Sequence, residues 1–426
     1  MGPFNFYTLI AVTEKIRNLH IRVPVVWKYL FCVVILLFGS FPRVENSYYA
    51  RLFKGQYAHA GLHSGFFYSE EELEFLDHQI TRLMIDNQFN GNVLVARYGM
   101  LIYEKSFGFS SFTRSVPMDI ETTFQLASIT KTFTATAILM LQEEGFLSVD
   151  DKVKKHLPDF PYDNITIRQM LNHTSGLQNY MWMVERHWRS RSLPTNRDIL
   201  DLFLRHPRPL NFTPGQRFDY SNTGYVFLAL LIEEVSGLSY RDYIHQCIFD
   251  PLEMNRSFVY DLHDPPAMDN RAYGYRQWRG RHIIIPDDNL DGPLGDKGIF
   301  STVHDLFKWD QALYRSELLP PSAWQQAFEN ARLNNDSLVN YGLGWRLQTY
   351  LDKPIVHHPG RWHGFRTSFK RFLDDHTTII VLSNNNRGIL DVIEGIQNLV
   401  YYDEKEIWMA ARDEELTDDY YEEYEE

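Results

Sequence analysis

Two residues three positions apart, Ser128 and Lys131, form the most reactive pairing in the 426-residue chain. They stand in Phe124-Gln-Leu-Ala-Ser-Ile-Thr-Lys-Thr-Phe-Thr-Ala-Thr-Ala-Ile-Leu-Met-Leu141, and no other Ser-x-x-Lys occurs in the sequence. If Ser128 opens a helix, Lys131 lies one turn on and both side chains share a face. The residues that follow, Phe133, Ala137, Ile138, Leu139, Met140 and Leu141, are apolar on nearly every side, so the predicted helix sits at the centre of a domain. Burial disfavours the charged form of a lysine at its head, and a neutral amine there is able to take the serine proton. The chemistry on offer is nucleophile plus base.

Two downstream stretches carry partners for that pair. Asp219-Tyr-Ser-Asn-Thr-Gly224 precedes the apolar run from Tyr225 to Val235, which stops at Ser236-Gly237. Asn222 is expected to cap that helix, so Tyr220 and Asn222 sit at a helix mouth, where a phenol passes protons and an amide orients a substrate carbonyl. Ile355-Val-His-His-Pro-Gly-Arg-Trp-His-Gly-Phe365 combines a short strand, two glycines and polar side chains. Glycine lets a ligand approach the backbone, and the N–H of Arg361, just after Gly360, is placed to join that of Ser128 as an oxyanion hole.

The elements that must hold these residues follow from pattern. Ser69-Glu-Glu-Glu starts a helix with a capping box, continued by Leu73, Leu76, Ile80 and Met84 at helical spacing. Residues 92–97 and 101–107 are β-rich runs joined by Tyr98-Gly99-Met100, which reads as a hairpin. The first buried helix ends near Gly145, and residues 199–204 give the apolar part of another helix. Residues 367–373 and 377–382 are strands around Asp374-Asp375-His376, and a helix over 389–400 closes the domain. Strands at both ends with helices between them imply one antiparallel sheet of about five strands built from both ends of the domain, with a mostly helical region inserted.

Taken together, Ser128-Ile-Thr-Lys131, Tyr220-Ser-Asn222 and His358-Pro-Gly360 resemble, in that order, the motifs of the serine β-lactamase and penicillin-binding-protein superfamily. Its class C-like branch, with related esterases and D-amino-acid peptidases, is the most similar part. Flanking stretches look like the same family: Leu171-Asn-His-Thr-Ser-Gly-Leu177, Phe212-Thr-Pro-Gly-Gln216, Gly295-Asp-Lys-Gly-Ile-Phe-Ser-Thr302 and Tyr341-Gly-Leu-Gly-Trp345. The resemblance implies an α/β (α+β) fold of the β-lactamase/transpeptidase type and an acyl-enzyme on Ser128. Lys131 and Tyr220 would exchange its proton, either being the base; the amides of Ser128 and Arg361 would hold the oxyanion, with Asn222 orienting substrate. Members that destroy β-lactams usually carry lysine where His358 stands, so the resemblance favours an esterase or D-peptide hydrolase. β-Lactamase or DD-peptidase activity, and a non-catalytic penicillin-binding-like sensor, are the alternatives. Arg361 is close enough in sequence to replace the missing cation, and Trp362, His363 and residues 178–182 are candidate pocket walls.

Composition narrows the rest. At 44% apolar and 15% aromatic residues the chain can bury a large core. Nine carboxylates between Asp413 and Glu426 account for most of the net charge, since without them −13 becomes −4. No basic patch interleaved with aromatics appears in the body, which argues against nucleic acid as a partner and leaves a small-molecule or peptide substrate. Cys32 and Cys247 suggest neither a disulfide framework nor a metal cluster. His-Glu-x-x-His, Cys-x-x-Cys and Gly-x-Ser-x-Gly are all absent, so neither a zinc hydrolase nor an α/β-hydrolase elbow is expected, and no metal or cofactor is called for. The expected organisation is a basic segment over residues 1–28, a signal or membrane anchor over 29–42, a tether over 43–68, the hydrolase domain over 69–402 and an acidic tail over 403–426. That leader predicts an extracytoplasmic location, secreted, periplasmic or membrane-attached.

Overall fold

The computed structural model describes residues 68–266 and 269–402, and the expected leader, anchor, tether and acidic tail, with Cys32, lie outside the described residues. All of the described residues fall in one compact unit spanning Ala60–Glu426. Helix α1 (Glu70–Asp86) starts at Ser69 with the expected capping box, in which Ser69 accepts from Glu72 N–H and Glu72 reaches back. Strands β1 (Gly91–Arg97) and β2 (Met100–Phe107) form the predicted hairpin, and both turn residues have positive φ, 53° at Tyr98 and 72° at Gly99. A 3₁₀ turn (Ala127–Ile129) then feeds α2 (Thr130–Glu143), and beyond it come α3 (Tyr180–His187), α4 (Asn196–Arg205), α5 (Asn222–Ser236) and α6 (Val303–Arg315). The chain returns to the sheet with β3 (Arg346–Tyr350), β4 (Lys353–Trp362), β5 (Phe365–Phe372) and β6 (Thr377–Ser383), and α7 (Leu390–Val400) follows.

The main sheet is antiparallel with order β3-β4-β5-β6-β1-β2. It therefore has six strands where about five were expected. The extra one, Arg346–Tyr350, has the burial pattern of an edge strand, without the continuous apolar run of β6. Period-two alternation splits the sheet into two packed faces. Val93 and Val95 of β1 with Ile379 and Val381 of β6 pack under α1 and α7, whereas Leu94, Ala96, Ile380 and Leu382 join the larger core that includes α2, α5 and α6.

In that larger core α2 is buried from Thr130 to Leu139 and again at Leu141, as its apolar surround predicts. Phe133 stacks on Trp309 of α6 with ring centroids 4.5 Å apart. The helix ends at Glu143, and Gly145, at φ 79°, takes the left-handed position that stops it. Among the described residues no helix is long and apolar enough to cross a membrane.

Candidate active site

The site begins where β4 and α2 meet. Ala127 holds φ 51°, a conformation that strains a residue with a side chain by ~1–3 kcal/mol. Its neighbour Leu126 is fixed on both sides: its N–H donates to Ile299 O at 2.8 Å, and its carbonyl accepts from Thr367 Oγ1 at 2.8 Å. This presents Ser128, half-exposed, from a turn whose other residues are buried. Lys131 is fully buried one turn later, and its Nζ donates to Ser128 Oγ at 3.2 Å and to Asp296 O at 2.7 Å. Burial pulls its pKa down to about 8, against the attraction of the Asp296 charge and with the help of Arg346. At neutral pH roughly a tenth of such a lysine is already the free amine.

The Asp296 segment is itself anchored to α2, because Thr134 Oγ1 donates to Gly295 O at 2.7 Å. Gly295 has φ 99°, and a Cβ there would meet Ala229 Cβ at 2.5 Å and Tyr225 O at 2.6 Å. Only glycine lets this loop lie on α5 and aim the Asp296 carbonyl at the lysine.

Tyr220 comes to the same place. Lys131 Nζ lies 5.1 Å from its ring centroid, and the phenol oxygen is sealed from solvent. Burial raises its pKa, with the nearby Ser128 hydroxyl the main opposing influence, yet the two oxygens do not meet in normal hydrogen-bond geometry. Asn222 does not cap α5 as expected. It is the first helical residue, Ser221 holds the cap position in an extended conformation without a side-chain bond, and the Asn222 Oδ1 is buried with no protein donor. The Ser221 N–H donates to His173 Nδ1 at 3.1 Å, which ties the start of the helix to the His173 segment.

His358-Pro-Gly360 lies inside a strand far longer than predicted, Lys353–Trp362, which pairs with β5 from Ile355 to Trp362. His358 is buried and its pKa is driven well below the usual histidine range by burial, then by Lys131 and Arg346, so the ring is neutral. A Cβ on Gly360 would lie 2.2 Å from Leu126 O and 2.1 Å from Thr367 Oγ1, so this glycine is what lets β4 touch the turn bearing Ser128. Strand alternation puts His358, Gly360 and Trp362 on one face and Arg361 on the other, exposed. The backbone of Arg361 follows Gly360 past the nucleophile turn, but its side chain does not take the place of the missing cation.

Further residues complete the site, and of these only Tyr180, Trp362 and His363 were singled out from the sequence, as candidate pocket walls. Tyr341 Oη is 3.0 Å from the Nε2 of both His173 and His358. Buried Lys297 bonds Tyr180 Oη at 2.5 Å, lies 3.3 Å from its neighbour Asp296, and sits 4.6 Å above the Trp362 ring. Trp362 in turn donates to Asp291 Oδ1 at 2.6 Å. Residues 178–182 lead into α3, where the Tyr180 hydroxyl meets Lys297 and Asp296, while Trp182 lies on the surface under Arg186 and Arg208. Among the described residues Asp287, Asp291 and His363 offer ligand atoms within 4.8 Å of one another, but Asp291 is already bound by Trp362 and lies 3.2 Å from His363 Nδ1. The sequence signal for His173, Lys297 and Tyr341 was membership in the flanking stretches around Leu171, Gly295 and Tyr341, whereas Asp287 and Asp291 had none.

A lysine whose pKa is lowered towards neutrality, a protonated phenol and a partly exposed serine within one small volume are the groups that nucleophilic acyl transfer requires. Comparison with known proteins agrees. The β-lactamase family model matches residues 76–401. The chain is 41% identical over 309 residues to penicillin-binding protein 4* of Bacillus subtilis, covering 70% of this chain and 68% of that protein. It is similar to the crystal structure of a penicillin-binding protein from Bacillus halodurans, with TM-score 0.66, 29% identity, and coverage of 75% of this chain and 98% of the other. The fold is shared by D-amino acid amidase from Ochrobactrum anthropi, at TM-score 0.66 and 22% identity over 77% of this chain and 99% of that one. The chain belongs to the β-lactamase family of serine hydrolases.

Proposed function

We propose that the chain hydrolyses an ester or amide, of the small-ester or D-amino-acid-peptide class, through an acyl-enzyme on Ser128. The observation that carries this is the buried Lys131 Nζ, held 3.2 Å from Ser128 Oγ by the Asp296 carbonyl. Ser128 Oγ bonds to the substrate carbonyl carbon as its proton passes to the Lys131 amine. The carbonyl oxygen gains the electron pair and faces the N–H groups of Ser128 and Arg361. Collapse of that intermediate breaks the bond to the leaving oxygen or nitrogen, which takes a proton from the Tyr220 phenol, and Lys131 reprotonates the phenolate. Water then attacks the ester, its proton leaves by the same groups, and Ser128 is restored.

The raised pKa of Tyr220 and the lowered one of Lys131 support this division of labour, since a phenol held protonated donates and a lysine near neutrality accepts. Asn222, whose Oδ1 is buried without a protein donor, is the proposed contact for a substrate N–H. The neutral His358 supports the esterase or peptidase reading over efficient β-lactam destruction, and the relation to a penicillin-binding protein supports acylation by penicillin. The extracytoplasmic location proposed for the chain rests on its basic and then apolar N-terminal sequence. Mass spectrometry of the protein exposed to a fluorophosphonate, p-nitrophenyl esters, D-alanyl peptides and penicillin tests the reading. An adduct on Ser128, absent in Ser128→Ala, is expected. Full turnover by Ser128→Ala would overturn it.

A further inference from the structure

Beyond the active site, a two-stranded ribbon formed by Tyr275–Trp278 and Arg281–Ile284 leaves the domain as a sheet of its own. Arg279 and Gly280 turn it, both at positive φ, 48° and 74°. Residues directly opposite share a face, so the register divides the ribbon in two. Tyr275, Gln277 and His282 take the inner face, where Tyr275 is buried and the His282 ring lies flat on Phe112 with centroids 3.6 Å apart. Arg276, Trp278, Arg281 and Ile283 take the outer face. Trp278 is 53% exposed near the tip, and the Arg279 guanidinium lies 4.5 Å from its ring centroid. At the foot, a Cβ on Gly274 would lie 1.9 Å from His363 O, so the ribbon rises beside the turn that ends β4.

The charge of that outer face opposes its background. Without its C-terminal carboxylates the chain carries a formal −4, yet Arg276, Arg279 and Arg281 form no ion pair among the described residues. The acids that follow the ribbon are engaged at its base: Asp287 accepts from Tyr260 Oη at 3.1 Å, and Asp288 lies 3.6 Å from His363 Nε2. A soluble anion would satisfy the guanidiniums but leave Trp278 in water, and an apolar protein groove would take the indole only by desolvating three charges. The headgroup layer of a lipid bilayer takes both, since tryptophan favours that depth and long arginines keep their charge at the phosphates.

We propose that this ribbon is a docking element for an anionic membrane surface, with Trp278 entering the headgroup layer and Arg276, Arg279 and Arg281 pairing with lipid phosphates. The basic and then apolar N-terminal sequence, read as a signal or anchor, is a separate reason for such a surface to be near. Because the foot of the ribbon abuts the turn bearing His363, docking sets that rim of the active site beside the lipid. The docking does not depend on Ser128 being the nucleophile.

The test is arginine footprinting of the full chain with phenylglyoxal, read by mass spectrometry, on vesicles of phosphatidylcholine and on vesicles of phosphatidylcholine with phosphatidylglycerol. An N-terminal anchor would hold the chain to both, so the difference reports the ribbon alone. Modification of Arg276, Arg279 and Arg281 is expected to fall ~5-fold or more on the anionic vesicles, the factor in affinity that one arginine gains near such a surface. Arg186 and Arg208, which flank the exposed Trp182, are the reference and are expected to stay reactive. Trp278→Ala is expected to lose most of the protection while its circular dichroism stays that of the wild type. Equal modification on both vesicles, equal protection of Arg186 and Arg208, protection by inorganic phosphate alone, protection without vesicles that grows with protein concentration, or full protection in Trp278→Ala would each overturn the docking element.

Discussion

Tyr341 Oη lies 3.0 Å from His358 Nε2, and the same oxygen lies 3.0 Å from His173 Nε2. The partners set the direction of every proton. His173 Nδ1 accepts from the Ser221 N–H, so its proton is on Nε2 and points at Tyr341. Tyr341 then donates to His358 Nε2, and the His358 Nδ1–H donates to Pro359 O at 2.8 Å. One phenol thereby joins the turn carrying Tyr220 to the strand carrying Gly360, and the His173 ring also packs, tilted by 35°, against Tyr220 with centroids 4.2 Å apart.

Tyr341→Phe removes the bridge while keeping the ring. Two buried ring nitrogens lose their partner, each at a cost of ~1–3 kcal/mol. The expected outcome is a lower unfolding midpoint in denaturant together with a fall in kcat of ~10-fold or more as Tyr220 loses its fixed position. Unchanged kcat in a destabilised variant would show that the bridge supports the fold alone.

Lys131 predicts two pH effects, one on rate and one on stability, and both rise with pH. Its folded pKa is lowered to about 8 by burial, from an ordinary 10.5. The reacting form is the neutral amine, so kcat/KM should rise with pH and level off above about 8. For stability, the unfolded chain holds this proton up to the ordinary value while the folded chain has released it. Between those two pH values the unfolded state binds more protons, so the lysine's burial penalty shrinks as pH rises. Unfolding free energies of wild type and Lys131→Met measured at pH 7 and pH 10 should therefore shift relative to each other in favour of wild type. A parallel pair of curves would mean that Lys131 is not desolvated in solution.

Much of this architecture was legible because period and punctuation are local. The capping box at Ser69, the Tyr98-Gly99 hairpin and the apolar surround of α2 each follow from neighbours a few residues away. Ser128 and Lys131 belong to that class, being one turn apart. What was not legible depends on contacts across the chain. Asn222 looked like a cap, but the helix takes it as its first residue and its Oδ1 is buried without a protein donor. Arg361 looked like a cation for the site until the strand ran long enough for alternation to turn it outward. Arg346 follows Trp345 with no pattern of its own, and only the fold sets it beside Tyr220.

Gly360→Ala tests how closely β4 must approach the nucleophile. The added carbon would meet two oxygens, Leu126 O and Thr367 Oγ1, at 2.2 and 2.1 Å, and the carbonyl cannot swing away because Leu126 is fixed on both sides. The strand must retreat, and a shift near 1 Å costs ~100-fold in rate. A drop of that size in acylation of Ser128 by a fluorophosphonate, with the variant still folded by circular dichroism, is the expected result; near-normal labelling would show that the Arg361 N–H is not needed close by.

His363 sets a pH dependence on the hairpin after β4. Burial alone would lower its pKa, but Asp291, Asp288 and Asp287 outweigh burial and raise it. The imidazolium lies 3.2 Å from Asp291 Oδ2 and 3.6 Å from Asp288 Oδ2, and it stacks on Trp362 at 4.5 Å. A histidine whose folded pKa is raised contributes stability that is complete below its unfolded value near 6.5 and is lost as pH rises through the folded value. His363→Gln should therefore lower the unfolding midpoint clearly at pH 5.5 and little at pH 9. Because Trp362 also covers Lys297, the same variant at low pH should raise KM more than it lowers kcat. Equal destabilisation at both pH values would show that His363 acts by packing, without its charge.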